Sequence, residues 1–320
     1  MKNFTSIYDI ANKEQLVQQA LDFKKSPLSH SYFGKGKTLG MVFFNPSLRT
    51  RMSTQKAAQN LGMSVISLNL KDGWQLEFDD EVIMNGDKAE HIKEAAAVMS
   101  QFVDILAVRS FPTLVDREKD YADFVLQKFI QHSSVPVLSL ESAIRHPLQS
   151  LADFITIKEH QKKNRPKVVL TWAPHPKALP QAVANSFVEW MDFADVDLTI
   201  THPEGYELAP EFSKNAKIEY SQNKAFTNAD FIYAKNWSSY HDYGKIIKPK
   251  ENWQITSEKM ALTNDGKFMH CLPVRRNVVV ADSVLDSPNS LVIQQTHNRT
   301  FAAQSVLFNL FDMPVSNVTL

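Results

Sequence analysis

The sequence predicts an α/β protein of two domains, each a parallel sheet flanked by helices. Three observations carry that prediction: short apolar runs alternate with longer amphipathic stretches, the alternation runs through two successive blocks, and 320 residues leave room for two domains of ordinary size.

In the first block, Thr38–Phe44, Ser64–Leu68, Asp104–Val108 and Val135–Leu138 read as buried strands. Thr50–Leu61, Glu90–Phe102 and Leu114–Gln131 read as helices, because their apolar residues recur at three- and four-residue spacing. The second block repeats the pattern. Lys167–Trp172, Val196–Thr201, Phe231–Ala234, Lys267–His270 and Leu291–Ile293 are strand-like, with helices such as Leu179–Met191 between them. The joint falls near Glu141–Leu151, where Pro147 suits the start of a helix running to about Lys162. The expected domains are therefore residues 1–145 and 146–299. A last helix within 300–320, built on Thr300–Phe311, is expected to pack back on the first domain. The connection Asn69–Ala89 is long for a βα loop, and long loops in compact domains are usually functional or flexible.

Composition narrows the function. Hydrophobic residues make up 43% and charged ones 22%, an ordinary globular balance. The 35 basic residues match the 35 acidic ones, which argues against a nucleic-acid or membrane partner held by bulk electrostatics. A single cysteine, Cys271, excludes an internal disulfide and a cysteine-rich zinc site. Met1–Ser6 lacks the apolar stretch of a signal peptide, and no run of about 18 apolar residues occurs, so a cytoplasmic protein is expected.

Two motifs invite an anion. Gly34-Lys35-Gly36-Lys37-Thr38 ends like a nucleotide-binding P-loop, but Ser31 stands where the first glycine belongs and the segment precedes a strand instead of following one. A Gly-x-Gly-x-x-Gly fingerprint fails because Leu39 occupies the third glycine position, which disfavours a dehydrogenase. The second motif fits better. Asn45-Pro46-Ser47-Leu48-Arg49-Thr50-Arg51 joins a strand to a helix, offering free backbone N–H groups and the positive end of a helix dipole. Ser47 and Thr50 add hydroxyls, and Arg49 adds a fork suited to phosphate. The plain account is an N-cap serine beside solvated arginines.

Ser47-Leu48-Arg49-Thr50-Arg51 resembles the carbamoyl-phosphate signature of the aspartate and ornithine transcarbamylases. His146-Pro147-Leu148-Gln149 is similar to their second signature and His270-Cys271-Leu272-Pro273 to their third. Arg109 and Arg299 also fall where that family has arginines, and the motifs keep the family's order across nearly the whole chain. Each has a plain structural account alone: a histidine in a boundary turn, an inert core thiol, a surface arginine in an ion pair. The ordered set outweighs those accounts.

The resemblance implies a carbamoyltransferase. Ser47, Leu48 through its backbone, Arg49 and Thr50 would hold the phosphate of carbamoyl phosphate. Arg109, His146 and Thr50 would polarise the carbonyl, Gln149 would bind the carbamoyl amide, and Arg299 would close the anion site. The carbonyls of Cys271 and Leu272 would accept from amino groups, Cys271 being counted with the catalytic residues. No metal and no cofactor is implied. The long loop carries Trp74, and in this family such a loop reaches a neighbouring subunit's site, so a homotrimer with shared sites is implied.

The acceptor follows from departures within the family. Ornithine transcarbamylases carry an Asp and a Ser-Met-Gly loop for the free α-amino group, whereas this chain has Lys235-Asn236-Trp237-Ser238-Ser239 and Val274-Arg275-Arg276-Asn277. That resembles the N-acylornithine branch, in which Glu141, His175, Lys235 and Arg275, together with Cys271 and Leu272, would bind the acyl-ornithine. The background resembles the succinyl-ornithine branch, which has proline where Glu90 stands; glutamate there marks the acetyl branch. A succinyl carboxylate about 4 Å from Glu90 would be repelled by roughly 4 kcal/mol at an effective dielectric of 20. Acetylornithine is therefore the expected acceptor. Glu90 as a first-turn acid on a helix dipole, ordinary ornithine as acceptor, and a silent anion-binding paralogue remain open.

Overall fold

A computed structural model describes residues 1–70 and 74–311. Two sheets, both wholly parallel, divide the chain into two compact units.

The first unit comprises Met1–Pro112, Lys119–Leu148 and the chain from Arg299 on. Its strands are β1 (Thr38–Phe43), β2 (Ser64–Asn69), β5 (Ile105–Arg109) and β6 (Val137–Glu141), in the order β2-β1-β5-β6. A separate two-stranded ribbon joins β3 (Leu76–Glu77) to β4 (Glu90–His91). Helices α1 (Lys13–Lys25), α2 (Leu48–Asn60), α3 (Ile92–Phe102), α4 (Arg117–Tyr121) and α5 (Phe124–His132) connect these strands, and α6 (Pro147–His160) follows β6. Val42, Leu106, Val108, Phe129 and Val137 lie in one buried apolar cluster. Such near-continuous apolar strands suit a parallel sheet covered on both faces. β2 is the exception. It is an edge strand and leaves Ile66 and Leu68 exposed.

The second unit comprises Thr113–Glu118 and Gln149–Asn298. Its strands are β7 (Lys167–Trp172), β8 (Asp197–Thr201), β9 (Lys217–Glu219), β10 (Phe231–Lys235) and β11 (Lys267–Met269), in the order β11-β10-β7-β8-β9. Helix α7 (Ala182–Phe193) is buried along most of its length; α8 (Pro210–Ser213), α9 (Gln222–Phe226), α10 (Ser257–Met260) and α11 (Asp282–Leu285) are short. Helix α12 (Val292–Phe311) ends the described chain. Its first-unit portion packs on α1 and α2: Asn60 donates to Gln304 at 2.9 Å, Ser305 to the Leu16 carbonyl at 2.9 Å, and Phe308 stacks on Phe33. No helix among the described residues is long and apolar enough to cross a membrane.

Two local expectations are corrected. Leu291–Ile293 is not a strand: after the bridge between Phe268 and Ser290 the chain turns into α12, so its β-branched residues open a helix. The helix expected over Leu114–Gln131 is two helices starting at Arg117. Leu114 lies at φ +58°, and the Thr113 hydroxyl accepts from the amides of Val115 and Asp116, closing a turn where helix was expected. Asp123, at φ +52°, then separates α4 from α5. The acidic stretch Asp79-Asp80-Glu81 is exposed. Asp79 pairs with Lys119, and Asp80 with Lys93 and Lys128, which hold its carboxyl well below the usual range. Of the expected C-terminal helix, residues 312–320 lie outside the described residues, as do Asp72 and Gly73 of the long loop.

Gly62 closes α2 at φ +84°, where an added Cβ would run into the Ser31 carbonyl oxygen. Gly62→Ala is expected to destabilise the protein by more than about 1 kcal/mol, read as a lowered denaturation midpoint.

Candidate active site

In the first unit the parallel register does the positioning. Phe43 of β1 pairs with Arg109 of β5, so the turn leaving β1 and the end of β5 share one edge of the sheet. Ser47 caps α2 by accepting from the Thr50 amide at 3.3 Å, an ordinary N-cap that leaves other first-turn N–H groups without an intrahelical partner. Leu48 is exposed there, and Arg49 is half-buried.

Thr50 is the node. Its hydroxyl oxygen accepts from Arg109 Nη1 at 3.2 Å and from Arg299 Nη2 at 2.7 Å. All three side chains are buried. Because guanidinium only donates, both bonds fix the Thr50 oxygen as acceptor and turn its own proton elsewhere. The cost of gathering two buried cations is offset by Glu141, which pairs with Arg109 and lies 3.4 Å from His146 Nε2. Two guanidiniums and one carboxylate leave this trio positive, at the N-terminus of α2. Its geometry suits an anion. Arg109 also lies over the Phe111 ring, 4.7 Å from its centroid, and the Asn45 side chain accepts from the Phe111 amide at 2.8 Å.

Glu141, expected among the acceptor-binding residues, is thus placed with Arg109 and His146. Arg51 faces the other way, bonded to Ser67 and Asn69 of β2 and lying over Phe43. Trp74 is half exposed, and its indole N–H donates to the Glu90 carboxylate at 2.8 Å.

The second unit brings its predicted residues to the corresponding strand ends. Lys235 ends β10 in register with Trp172 of β7, and the following Ala173 donates its amide to the Lys235 carbonyl at 3.1 Å. His175, two residues on, accepts at Nε2 from Arg275 Nε at 3.1 Å. Nδ1 lies 3.0 Å from the Lys177 carbonyl and 3.1 Å from the Lys177 amide; with Nε2 accepting from Arg275, the neutral ring carries its proton on Nδ1, which then donates to the carbonyl and cannot also accept from the amide. Burial chiefly, and then the charges of Arg275, Lys235 and Lys177, holds the His175 imidazole below its ordinary pKa. Arg276 turns away, paired with Asp282 and Asp286.

Residues Cys271 and Leu272 follow β11 in a turn closed by His270. The His270 Nδ1 accepts from the Leu272 amide at 2.9 Å, and Leu272 sits at φ +53°. The Cys271 thiol is buried. Below the turn the sequence reading missed a polar network. Gln149 Nε2 and Gln295 Nε2 both donate to Asp153 Oδ1 at 2.7 Å, and Gln295 Oε1 accepts from the His270 amide at 3.0 Å. The one available signal was an aspartate four residues after Gln149, on the same face of α6.

Comparisons with known proteins show the family. Residues 2–159 match the aspartate/ornithine carbamoyltransferase carbamoyl-P binding domain, and residues 180–310 match the Asp/Orn binding domain of the same family. The chain is 54% identical to an N-succinylornithine carbamoyltransferase of Bacteroides thetaiotaomicron, over 98% of this chain and 99% of the relative. It is 37% identical to an N-acetylornithine carbamoyltransferase of Xanthomonas axonopodis pv. citri, over 96% of each. A crystal structure of acetylornithine transcarbamylase complexed with acetylcitrulline superposes with a TM-score of 0.89 at 36% identity, covering 97% of this chain and 99% of that one.

Replacing one member of a buried ion pair strands the other. Glu141→Leu is expected to destabilise the protein by about 3–5 kcal/mol, visible as a lowered denaturation midpoint. An unchanged midpoint would mean that Arg109 does not depend on Glu141.

Proposed function

The chain belongs to the aspartate/ornithine carbamoyltransferase family, and from that premise we propose that it transfers the carbamoyl group of carbamoyl phosphate to the side-chain amine of an N-acylornithine. The products are N-acylcitrulline and phosphate, a step of arginine biosynthesis in the cytoplasm. The carrying observation is the convergence of Arg109 and Arg299 on the Thr50 hydroxyl at the N-terminus of α2.

The chemistry divides between donors and acceptors. Ser47, the Leu48 amide, Arg49, Thr50 and Arg299 hold the phosphate. Arg109, His146 and the Thr50 proton face the carbamoyl oxygen, which turns negative as the amine attacks. Loss of one such donor typically costs about 2.7–4 kcal/mol in the barrier. The C–N bond forms, the C–O bond to phosphorus breaks, and the departing phosphate takes the amine proton. Gln149 and the carbonyls of Cys271 and Leu272 accept from the carbamoyl amino group. Lys235, His175 and Arg275 receive the acceptor, with Arg275 on its carboxylate. Cationic surroundings favour an acylated α-nitrogen over a free ammonium.

Glu90 selects acetylornithine, in this reading, by repelling the second carboxylate of the succinyl compound. The 54% identity to a succinylornithine enzyme favours the opposite choice. Oligomerisation as a trimer, with Trp74 serving a neighbouring site, is supported by the exposed apolar residues Ile66 and Leu68 on edge strand β2 and Leu48 and Met52 on α2.

Carbamoyl transfer measured in parallel on acetylornithine, succinylornithine and ornithine should give the highest kcat/KM with acetylornithine. Glu90→Gln keeps an acceptor for Trp74 and removes the charge, so succinylornithine turnover should rise about 100-fold. A wild-type preference for succinylornithine sinks the selectivity argument and keeps the reaction; inactivity on all three sinks the reaction.

Affinity for N-acylcitrulline, which has no titrating amine, should report His175. A lowered pKa keeps the imidazole neutral at pH 7, and only below about pH 6.5 should protonation at Nε2 break the Arg275 bond and weaken binding. His175→Gln should abolish that weakening. A loss beginning above pH 7 would contradict the assignment.

A further inference from the structure

We propose that Asp153 is a positioning residue that fixes the polarity of the Gln149 amide, so that the protein takes a carbamoyl group and rejects an acyl group of the same shape. The inference rests on the carbamoyl-transfer reading and deepens it, because carbamoyl phosphate and acetyl phosphate differ only in NH₂ against CH₃.

A glutamine amide has two ends of nearly equal size and opposite hydrogen-bonding sense. Gln149 therefore discriminates only if something dictates which end it presents. Asp153 does so. It is fully buried on α6, one turn beyond Gln149, and its Oδ1 accepts from the Gln149 amino end at 2.7 Å. The Gln149 carbonyl oxygen is then turned from Asp153 as an acceptor, the partner that a carbamoyl amino group needs and a methyl group cannot use.

The same oxygen of Asp153 holds a second amide, and the sense of that one is set twice. Gln295 donates to Asp153 at 2.7 Å and accepts from the His270 backbone N–H, which can only donate, at 3.0 Å. His270 in turn closes the turn that carries the Cys271 and Leu272 carbonyls. One buried carboxylate thus ties together all three expected acceptors for the amino group. Its charge is felt nearby: burial first, then Asp153 and Cys271, pushes the Tyr233 phenol well above its ordinary pKa. That keeps Tyr233 neutral beside the network.

Two variants separate orientation from packing. Asp153→Asn retains Oδ1, which Gln295, itself held by His270, keeps facing Gln149; Asp153→Leu removes the acceptor at similar volume. The measured quantity is the inhibition constant of acetyl phosphate divided by the KM of carbamoyl phosphate, with the inhibition constant of inorganic phosphate as a control. In Asp153→Leu the ratio should fall at least tenfold, through a rise in carbamoyl-phosphate KM, while phosphate inhibition stays within threefold. Asp153→Asn should keep the ratio within threefold. If Asp153→Leu does not fold, Asp153→Asn combined with Gln295→Leu removes the imposed orientation and should show the same fall. An unchanged ratio, or a proportional loss of phosphate binding, assigns Asp153 to packing and overturns the proposal. Calorimetric binding of carbamoyl phosphate against acetyl phosphate needs no acceptor: a wild type that discriminates them yet transfers nothing to an N-acylornithine would sink the function and leave this inference standing.

Discussion

A threonine hydroxyl accepting from two guanidiniums is the constraint on which the first unit depends. Thr50 and Arg299 are 249 positions apart, yet one 2.7 Å bond joins them, and Arg109 arrives at the same oxygen from the end of β5. Like charges are held together here only because the neighbourhood compensates. Glu141 neutralises one guanidinium, and a hydroxyl absorbs one N–H from each. The residual positive charge is what makes the place useful. On the proposed function a dianionic phosphate would bring the missing negative charge with it.

Donors and acceptors are segregated between the units. The first unit offers guanidiniums, a hydroxyl and helix N–H groups, the inventory of a phosphate and oxyanion binder. The second offers the turn carbonyls, the Gln149 amide and the Arg275–His175 pair.

The alternation that defines the two sheets was legible because parallel strands buried on both faces are apolar along their length, and the helices between them carry a 3.6-residue period. The anion turn was legible for a related reason: Ser47 through Thr50 lie within one helical turn, so their chemistry is local in sequence. The rest failed where the determinant was distant. Nothing near Leu291 says that its β-branched successors open a twenty-residue helix. Nothing near Glu141 names Arg109 and His146 as its partners. Asp153 and Gln295 look like polar intrusions in helical core faces until the fold brings them 2.7 Å apart. Buried polar residues of this kind are informative because leaving them unpaired is expensive.

Residue 90 carries two duties that cannot be separated by sequence. As a charge, Glu90 would, on the proposed function, discriminate between neutral and anionic acyl groups; as an acceptor, it anchors the indole N–H of Trp74 at 2.8 Å. Proline, found there in the succinyl-ornithine branch that the chain resembles, supplies neither the charge nor a side-chain acceptor. An exchange of glutamate for proline would therefore change the acyl selectivity and release Trp74 in the same step. A hydrogen bond to the carboxylate does not remove its charge, so Trp74 can be held without weakening the repulsion of a second carboxylate. On the proposed function, the choice of acyl group and the anchoring of Trp74 are consequently two readouts of one side chain.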